Sequence, residues 1–295
     1  MGKAVSGNPT NELVSIALPS FNAEKTIGDA IASILRQTYS TWELLLIDDG
    51  SKDRTVEIVK NFNDPRIRIF ADGINKGLPV RLNEAIDRAA GKYFARMDQD
   101  DLCFPERLER QVEFLEAHPG IDLLGTHAMT FVTPDQATGL FPFLETHEEI
   151  CRHPWKGFYL PHPSWMGRLE WFRKHRYHDV NRAEDQDLLL RSYLESRFAC
   201  LPEILFAYRL RGKVSLKINM AARKSLLLSQ RRVFGTRSRY GLLALSYLAY
   251  VGKCALDFYK VLAGGPPTQE NADLTELLPQ WEKLKASIAE FQSRQ

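Results

Sequence analysis

The chain is 295 residues long with 44% hydrophobic and 26% charged residues, an ordinary globular balance that excludes disordered, collagen-like and coiled-coil classes for its bulk. Lys and Arg number 39 against 37 Asp and Glu, for a net charge of +2, yet Ile204 to Leu256 holds eleven cations and no acid. The four cysteines, Cys103, Cys151, Cys200 and Cys254, are scattered without a CxxC pair, as expected of reduced intracellular thiols. The N-terminal MGKAVSGNPTNE has no apolar run and the chain no run of 18 apolar residues, so neither a secretory leader nor a transmembrane helix is expected.

In chain order, LVSIAL (13–18) predicts a strand, and Ala23 to Gln37 a helix with Ile27, Ile31, Ile34 and Leu35 on one face. WELLLI (42–47) is a continuous apolar run, as in a strand covered on both faces. Asp53 to Phe62 reads as a helix, IRIF (67–70) as a strand, Pro79 to Ala90 as a helix, KYFARM (92–97) as a strand and Pro105 to Ala117 as a helix. Strand and helix thus alternate four times, which implies a parallel sheet with its strand C-termini on one edge, where ligands bind. Further on, IDLLGTHAMTFV (121–132) and GFYLPHPSWMGR (157–168) read as strands, the second broken by Pro161 and Pro163. Ala183 to Ser196 reads as an acid-led helix and ACLPEILFAYRL (199–210) as a strand pair or one bent strand. Helical patterns then run over 215–234, 240–262 and 274–291, with a break at Gly264-Gly265-Pro266-Pro267.

The polar residues after each strand are expected to meet: Pro19-Ser20-Phe21-Asn22, Asp48-Asp49-Gly50-Ser51 and Asp98-Gln99-Asp100-Asp101. Three carboxylates in four residues repel one another unless a cation lies among them. A hard divalent ion takes oxygen ligands and fills its shell with substrate phosphate and water. The bland alternative is a solvated acidic turn or a helix cap before Pro105. Asp48 or Asp49 reads either as an acceptor for a nucleoside or as a cap near Lys52. Phe21 reads either as a base-stacking face or as a core residue. Asn75, Lys76 and Arg81 supply polar and cationic groups suited to a diphosphate, while an ordinary ion pair would also account for Arg81.

LPSFNAEKTIGDAIASILRQTYSTWELLLIDDGSKDRT, then NKGLPVRLNEAI, then ARMDQDD, in that order, resemble family 2 glycosyltransferases over about residues 13–210. The resemblance implies a GT-A (Rossmann-like) α/β fold, with a mixed, mainly parallel sheet flanked by helices. A catalytic domain would span 1–212, its nucleotide-sugar half about 13–130 and its acceptor half about 131–212, followed by a helical region at 213–295. It also implies inverting transfer from a nucleotide-diphosphate sugar, UDP-linked by family habit, with Mn²⁺ or Mg²⁺ as cofactor. Pro19, Phe21, Glu24, Asp49, Asn75, Arg81, Asp98 and Gln99 then fall on the donor side, and Asp100, with Asp98, on the metal. HPSWMGR (162–168) resembles the acceptor-side strand, which puts His162 and Asp101 toward an acceptor. His162 equally reads as a metal ligand or as a satisfied histidine between prolines.

Arg182-Ala183-Glu184-Asp185-Gln186-Asp187 resembles the family's acidic helix start, with Asp185 as general base and Glu184 beside it. Independently, such a transfer needs a carboxylate to take the acceptor's proton, and a helix N-terminus favours the charged form. Ordinary first-turn capping is the alternative, and Asp187 reads as structural, paired with Arg191. The QxxRW signature of processive synthases is absent, so one sugar per acceptor is expected, added to a glycan or a polyprenyl-diphosphate-linked glycan. An inactive sugar-nucleotide-binding protein and a nucleotidyltransferase on a similar sheet are the competing readings; SFNAEK after strand one lacks the Gly-rich basic loop of the latter. The basic stretch within 213–262 is expected either to pack on the core or to dock on an anionic membrane surface at the cytoplasmic face. No nucleic-acid motif accompanies it.

Overall fold

Val14–Ser20 (β1), Trp42–Asp48 (β2), Ile67–Ala71 (β3) and Tyr93–Arg96 (β4) form the parallel half of one sheet, joined by Ile27–Leu35 (α1), Thr55–Lys60 (α2) and Leu78–Arg88 (α3). The computed structural model describes residues 11–180, 182–210, 215–262, 274–275 and 277–293. Leu102–Cys103 (β5) leads into Arg107–Ala117 (α4), Leu123–Thr133 (β6), Gln136–Leu140 (β7) and the short helix His147–Ile150 (α5). A 3-10 turn at His162–Ser164 precedes Met166–Arg168 (β8), Leu169–Lys174 (α6), Glu184–Ser192 (α7) and Phe198–Arg209 (β9). Leu216–Thr236 (α8), Tyr240–Leu262 (α9) and Leu278–Ser293 (α10) complete the chain.

The sheet order is β3-β2-β1-β4-β8-β6-β9-β5, with β7 hanging on β6. β8 runs antiparallel to β4 and to β6, so the sheet is mixed, mainly parallel and flanked by helices. Its two faces follow from the alternation of side chains along each strand. Ile16 and Leu18 of β1, with Leu44 and Leu46 of β2, pack with Ile27, Ile31 and Ile34 of α1. Ala17, Leu45 and Ile47 point the other way, onto Leu82, Ala85 and Ile86 of α3 and Leu188 and Leu189 of α7. α10 covers a separate apolar patch, where Trp281 meets Phe131 of β6.

One expectation needs correction and one pair of alternatives is decided. The segment 157–168 is strand only at Met166–Arg168, because Pro161 and Pro163 donate no backbone hydrogen bond and a 3-10 turn forms over His162–Ser164. Residues 199–210 take the bent-strand alternative: the register against β6 jumps from Leu201 to Ile204, a bulge that accommodates Pro202. The expected boundary at 212 and the Gly264–Pro267 break lie outside the described residues, as does most of the N-terminal run.

The polypeptide reverses direction of winding between β1 and β4, since β2 and β3 lie to one side of β1 and β4 to the other. Such a switch point splays the two following loops and opens a crevice at the strand ends. The loop after β2 is locked there by Gly50, whose φ of +78° suits glycine. A Cβ at this position would stand 2.9 Å from the Ile74 carbonyl carbon and 3.0 Å from the Asn75 nitrogen. Gly50→Ala is therefore expected to cost about 1–3 kcal/mol in urea unfolding. An unchanged midpoint would show that this turn is not rigid.

Candidate active site

The loops after β1, β2 and β4 are tied by side chain to backbone bonds. Gln99 accepts from the Phe21 N–H at 2.6 Å and donates to the Phe21 carbonyl at 3.2 Å, a reciprocal clasp across the switch point. Asn22, at φ 49°, donates its N–H to Ser51 Oγ (3.0 Å) and accepts from Lys52 N–H (2.8 Å). Asp48 is not a helix cap: it accepts the Gly50 and Ser51 N–H groups at 3.1 and 3.0 Å, closing its own turn.

Between these loops lies a cavity of about 490 Å³, lined by Pro19, Phe21, Asp49, Asp98, Gln99, Asp100, Arg182, Arg209 and Ile218 among others. Sites for small ligands run from roughly 300 to 1,000 Å³ and place a few polar groups among apolar walls. A larger cavity of about 1,050 Å³ lies beneath α10, lined by Phe104, Pro105, Leu277 and Leu284, and its Arg110 and Glu203 already pair with each other. The smaller one carries the convergent carboxylates, so the chemistry is assigned there.

Asp49 and Asp100, 51 positions apart in the chain, face this one cavity. Asp49 closes the N-terminus of α3, accepting from Lys76 N (2.6 Å), Gly77 N (3.1 Å) and Arg81 Nε (2.9 Å). Arg81 is only 2% exposed in its side chain, and Asp49, Asp72, Glu84 and the Ile74 carbonyl occupy its guanidinium. It is thus neither a surface ion pair nor an open anion site, because its N–H groups already have acceptors. Asn75 donates to the Asp49 carbonyl at 3.1 Å and does not line the cavity. Glu24 does not line the cavity either, and its carboxylate accepts from Arg54 N at 3.3 Å. Phe21 is 43% exposed at the mouth, which excludes the core alternative.

Asp98 pairs with Arg96 Nη2 at 2.5 Å and keeps part of its carboxylate in the open, whereas Arg96 is almost wholly buried. Burial works against the Arg96 charge, but Asp98, then Tyr177, Glu184 and Asp101, hold its pKa above the ordinary value. Its Nε and Nη1 have no hydrogen-bond partner among the described residues. Asp101, expected on the acceptor side, belongs to the cavity lining but is only 1% exposed, and its Oδ1 takes the Arg209 N–H at 2.7 Å. Burial, then the charges of Asp98 and Asp100, raise its carboxyl pKa well above the usual carboxylate range.

Glu184 and Asp185 open α7. His162 Nδ1 lies 3.7 Å from Glu184, and its Nε2 bonds the Tyr177 hydroxyl at 2.9 Å. Burial, reinforced by Arg96, pushes the His162 pKa well down, so the ring is neutral at pH 7. Burial and then the Asp185 charge raise Glu184 from 4.5 to about 7. Gln186 fixes Asp185 from one side, donating to its Oδ2 at 3.0 Å while clasping both backbone groups of Phe158. Asp187 is structural: fully buried, it takes bonds from Arg191 Nε and Ser229 Oγ, both at 2.7 Å, and so ties α7 to α8.

Two groups bear on a cation. Among the described residues, His162, Glu184 and Asp185 bring ligand atoms within 4.8 Å of one another. Asp98 and Asp100 line the cavity as oxygen-only side chains, while the buried Asp101 is held toward its protonated form. Hard Mg²⁺ or Mn²⁺ favours the second. In the first, Tyr177 occupies one His162 nitrogen and Glu184 holds its proton up to about neutral pH.

Sequence reasoning missed Arg96, Arg182 and Arg209. Arg182 lines the cavity, is exposed, and adopts φ 63°, an uncommon conformation for a non-glycine residue. It has no carboxylate partner among the described residues, and its place just before the acidic helix start was the available signal. Arg209, which donates to the Asp100 carbonyl at 2.7 Å, stood at a strand end without a motif.

The sequence model of "Glycosyl transferase family 2" matches residues 15–176. An uncharacterized glycosyltransferase of Haemophilus influenzae is 34% identical over 220 residues, covering 68% of this chain and 66% of that protein. The UDP-Glc:alpha-D-GlcNAc-diphosphoundecaprenol beta-1,3-glucosyltransferase WfgD of Escherichia coli is 43% identical over 103 residues, 35% of this chain and 41% of that one. The chain thus spans less than two thirds of either relative. Among solved structures, Staphylococcus aureus TarS 1–349 in complex with UDP-GlcNAc aligns at a TM-score of 0.64 and 18% identity, over 93% of this chain and 80% of that one. The mannosyltransferase PcManGT of Pyrobaculum calidifontis, in complex with GDP-Man and Mn²⁺, aligns at 0.58 and 16% identity, over 97% and 88%. At these identities the structural likeness is one of fold, GT-A-like in both.

Because its pKa is higher folded than unfolded, Glu184 retains in the native state a proton that the unfolded chain releases. Its contribution to stability therefore falls as pH rises from about 4.5 to about 7 and is level beyond. His162 acts in the opposite sense, so the informative quantity is a difference between variants. In chelator-treated protein, the melting temperature of Glu184→Gln minus that of the parent is expected to grow from about pH 5 to about pH 7.5. A constant difference would show that Glu184 titrates normally.

Proposed function

The chain belongs to glycosyltransferase family 2, and from that premise we propose that it transfers one sugar, with inversion, from a UDP-linked donor to a hydroxyl of a glycan or polyprenyl-diphosphate-linked glycan in cell-surface polysaccharide assembly. The observation that carries this reading is the convergence of Phe21, Asp49, Asp98 and Asp100, from the ends of three strands, on one cavity of about 490 Å³. Phe21 at the mouth stacks on the base, Asp49 and Glu24 border the nucleoside, and Asp98 with Asp100 face the diphosphate. Asp100 and Asp98 would hold Mg²⁺ or Mn²⁺, which when bound would supply charge neutralisation for the diphosphate leaving group. Arg182, exposed at the same wall, takes the cationic role first expected of Arg81.

Asp185 takes the acceptor proton. Glu184, neutral below about pH 7, leaves Asp185 beside a protonated partner, so the pair need not carry two adjacent charges. Gln186 orients the Asp185 carboxylate through its 3.0 Å bond. Asp185 stands in the first turn of α7, where a helix N-terminus is a favourable place for negative charge. Donor half and acceptor half together form the catalytic unit, with the residues after 212 as an accessory helical region.

Thermal shift and product release across a panel of nucleotide sugars with Mn²⁺ test this reading. Asp100→Ala is expected to abolish the Mn²⁺-dependent part of the donor-induced shift. Asp185→Asn should keep that shift while lowering turnover by about 10²–10⁴-fold. Donor binding with no turnover in the parent protein, across acceptors, would instead identify an inactive sugar-nucleotide binder. Full turnover in Asp185→Asn would remove it as the base. Arg182→Ala should weaken the donor diphosphate more than free nucleoside, read as a larger loss for the nucleotide sugar than for uridine.

A further inference from the structure

α9 is a surface helix turned inside out. Its buried residues are polar, Ser246 and Asp257, while Leu248, Val251, Phe258 and Leu262 are 56–71% exposed. Tyr240, Tyr247 and Tyr259 extend the same exposed apolar character. The polar seam binds the helix to the rest of the protein: Asp257 accepts two bonds from Arg223 of α8, one of them at 2.8 Å, and Lys253 donates to the Lys156 carbonyl at 2.5 Å. A helix that packed only for solubility would show the reverse pattern. Contrary to the expectation from sequence, α9 is also long and apolar enough by composition to cross a membrane, with a mean hydropathy of 1.2 and only 11% of the window buried. The Arg223–Asp257 pair instead lays it along α8 as a hairpin, which crossing would tear apart.

Exposed cations lie alongside. Lys217, Lys224, Arg231, Arg232 and Arg237 face solvent on α8 and the turn after it, and none has a carboxylate partner among the described residues. Nothing acidic lies between Ile204 and Leu256 to neutralise them. An isologous pairing of two copies through this region would set its cations against themselves. An anionic bilayer surface matches both features, apolar side chains entering the acyl boundary and cations meeting phosphate headgroups.

We infer that the α8–α9 hairpin docks this protein on an anionic lipid surface, through the exposed apolar side chains of α9 and the cations of α8. Docking would present the cavity to a membrane, because Ile218 in the first turn of α8 lines that cavity and Ser229 of α8 holds Asp187 of the catalytic helix. The use of such docking rests on the glycosyl-transfer reading with a lipid-linked acceptor; the docking itself does not.

Flotation of the full chain with vesicles of equal parts phosphatidylglycerol and phosphatidylcholine tests it without any transfer reaction. The protein is expected to float with these vesicles at low salt and to stay below with pure phosphatidylcholine. Leu248→Gln/Val251→Gln and Arg231→Gln/Arg232→Gln should each lower the bound fraction about tenfold or more, with circular dichroism and donor-induced thermal shift unchanged. The proposal is overturned if the parent protein does not float. It is equally overturned if both double variants float like the parent, or if sedimentation shows a dimer that Leu248→Gln/Val251→Gln dissociates while flotation persists. A failed donor screen with intact flotation would count against the transferase reading alone.

Discussion

Everything at this site depends on gathering carboxylates at one sheet edge without letting their repulsion open it. Asp48, Asp49, Asp98, Asp100 and Asp101 follow two strands that are not even neighbours, since β1 lies between them. The anions that turn inward are met by backbone N–H groups or a guanidinium, Asp48 by its own turn and Asp49 by the start of α3 and Arg81, whereas buried Asp101 is pushed toward its neutral form. A carboxylate held by several N–H groups or a guanidinium stays ionised at little cost, and its geometry is fixed before any ligand arrives. Asp49, Asp98 and Asp100 all line the cavity, Asp98 while paired with Arg96, so carboxylates from two strand ends meet there without opening the edge.

Arg96 joins this edge to the start of α7. Its charge is felt by Asp98, Asp101, Glu184, His162 and Tyr177. A single buried cation therefore offsets the anions of the Asp98 turn and helps keep His162 neutral. Its two unpartnered nitrogens show that the surrounding cage is not saturated. Arg107 supports the arrangement from beneath, donating to the Arg96 carbonyl at 2.7 Å and to the Pro163 carbonyl at 3.2 Å. The donor turn and the His162 turn are thereby fixed to one another through side chains that never reach the cavity.

Most of the strand and helix order was legible because the first half obeys two clean periodicities, and the convergence of Phe21, Asp49, Asp98 and Asp100 follows from parallel strands ending on one edge. Legibility failed where a residue's role depends on what arrives from elsewhere in the chain. Arg81 carries the type of side chain a diphosphate needs, but Asp72 and Glu84 reach it first, and only coordinates reveal that. Asp101 is the same residue type as Asp100 one position earlier, yet the turn aims it at β9. Arg96 and Arg209 do their work through long-range pairing, which leaves no local pattern. The short β5 and β7 strands exist by pairing with β9 and β6 rather than by any run of their own.

The C-terminal helices show the converse limit. Their composition announces an unusual surface, but composition does not say which side of a helix faces out. α9 has few polar side chains, and the fold uses Lys253 and Asp257 to attach it to the body, while buried Ser246 bonds the Leu242 carbonyl of its own helix. Once those are committed inward, the remaining circumference is unavoidably apolar. The same commitment explains why a stretch with the hydropathy of a membrane span lies flat: the Arg223–Asp257 pair is shielded against α8, and extracting either charge alone into hydrocarbon would leave it uncompensated. Helix orientation, and with it the exposed apolar face, is thus set by a few polar anchors together with Leu242 and Leu243 at its start, and not by the bulk of its apolar side chains.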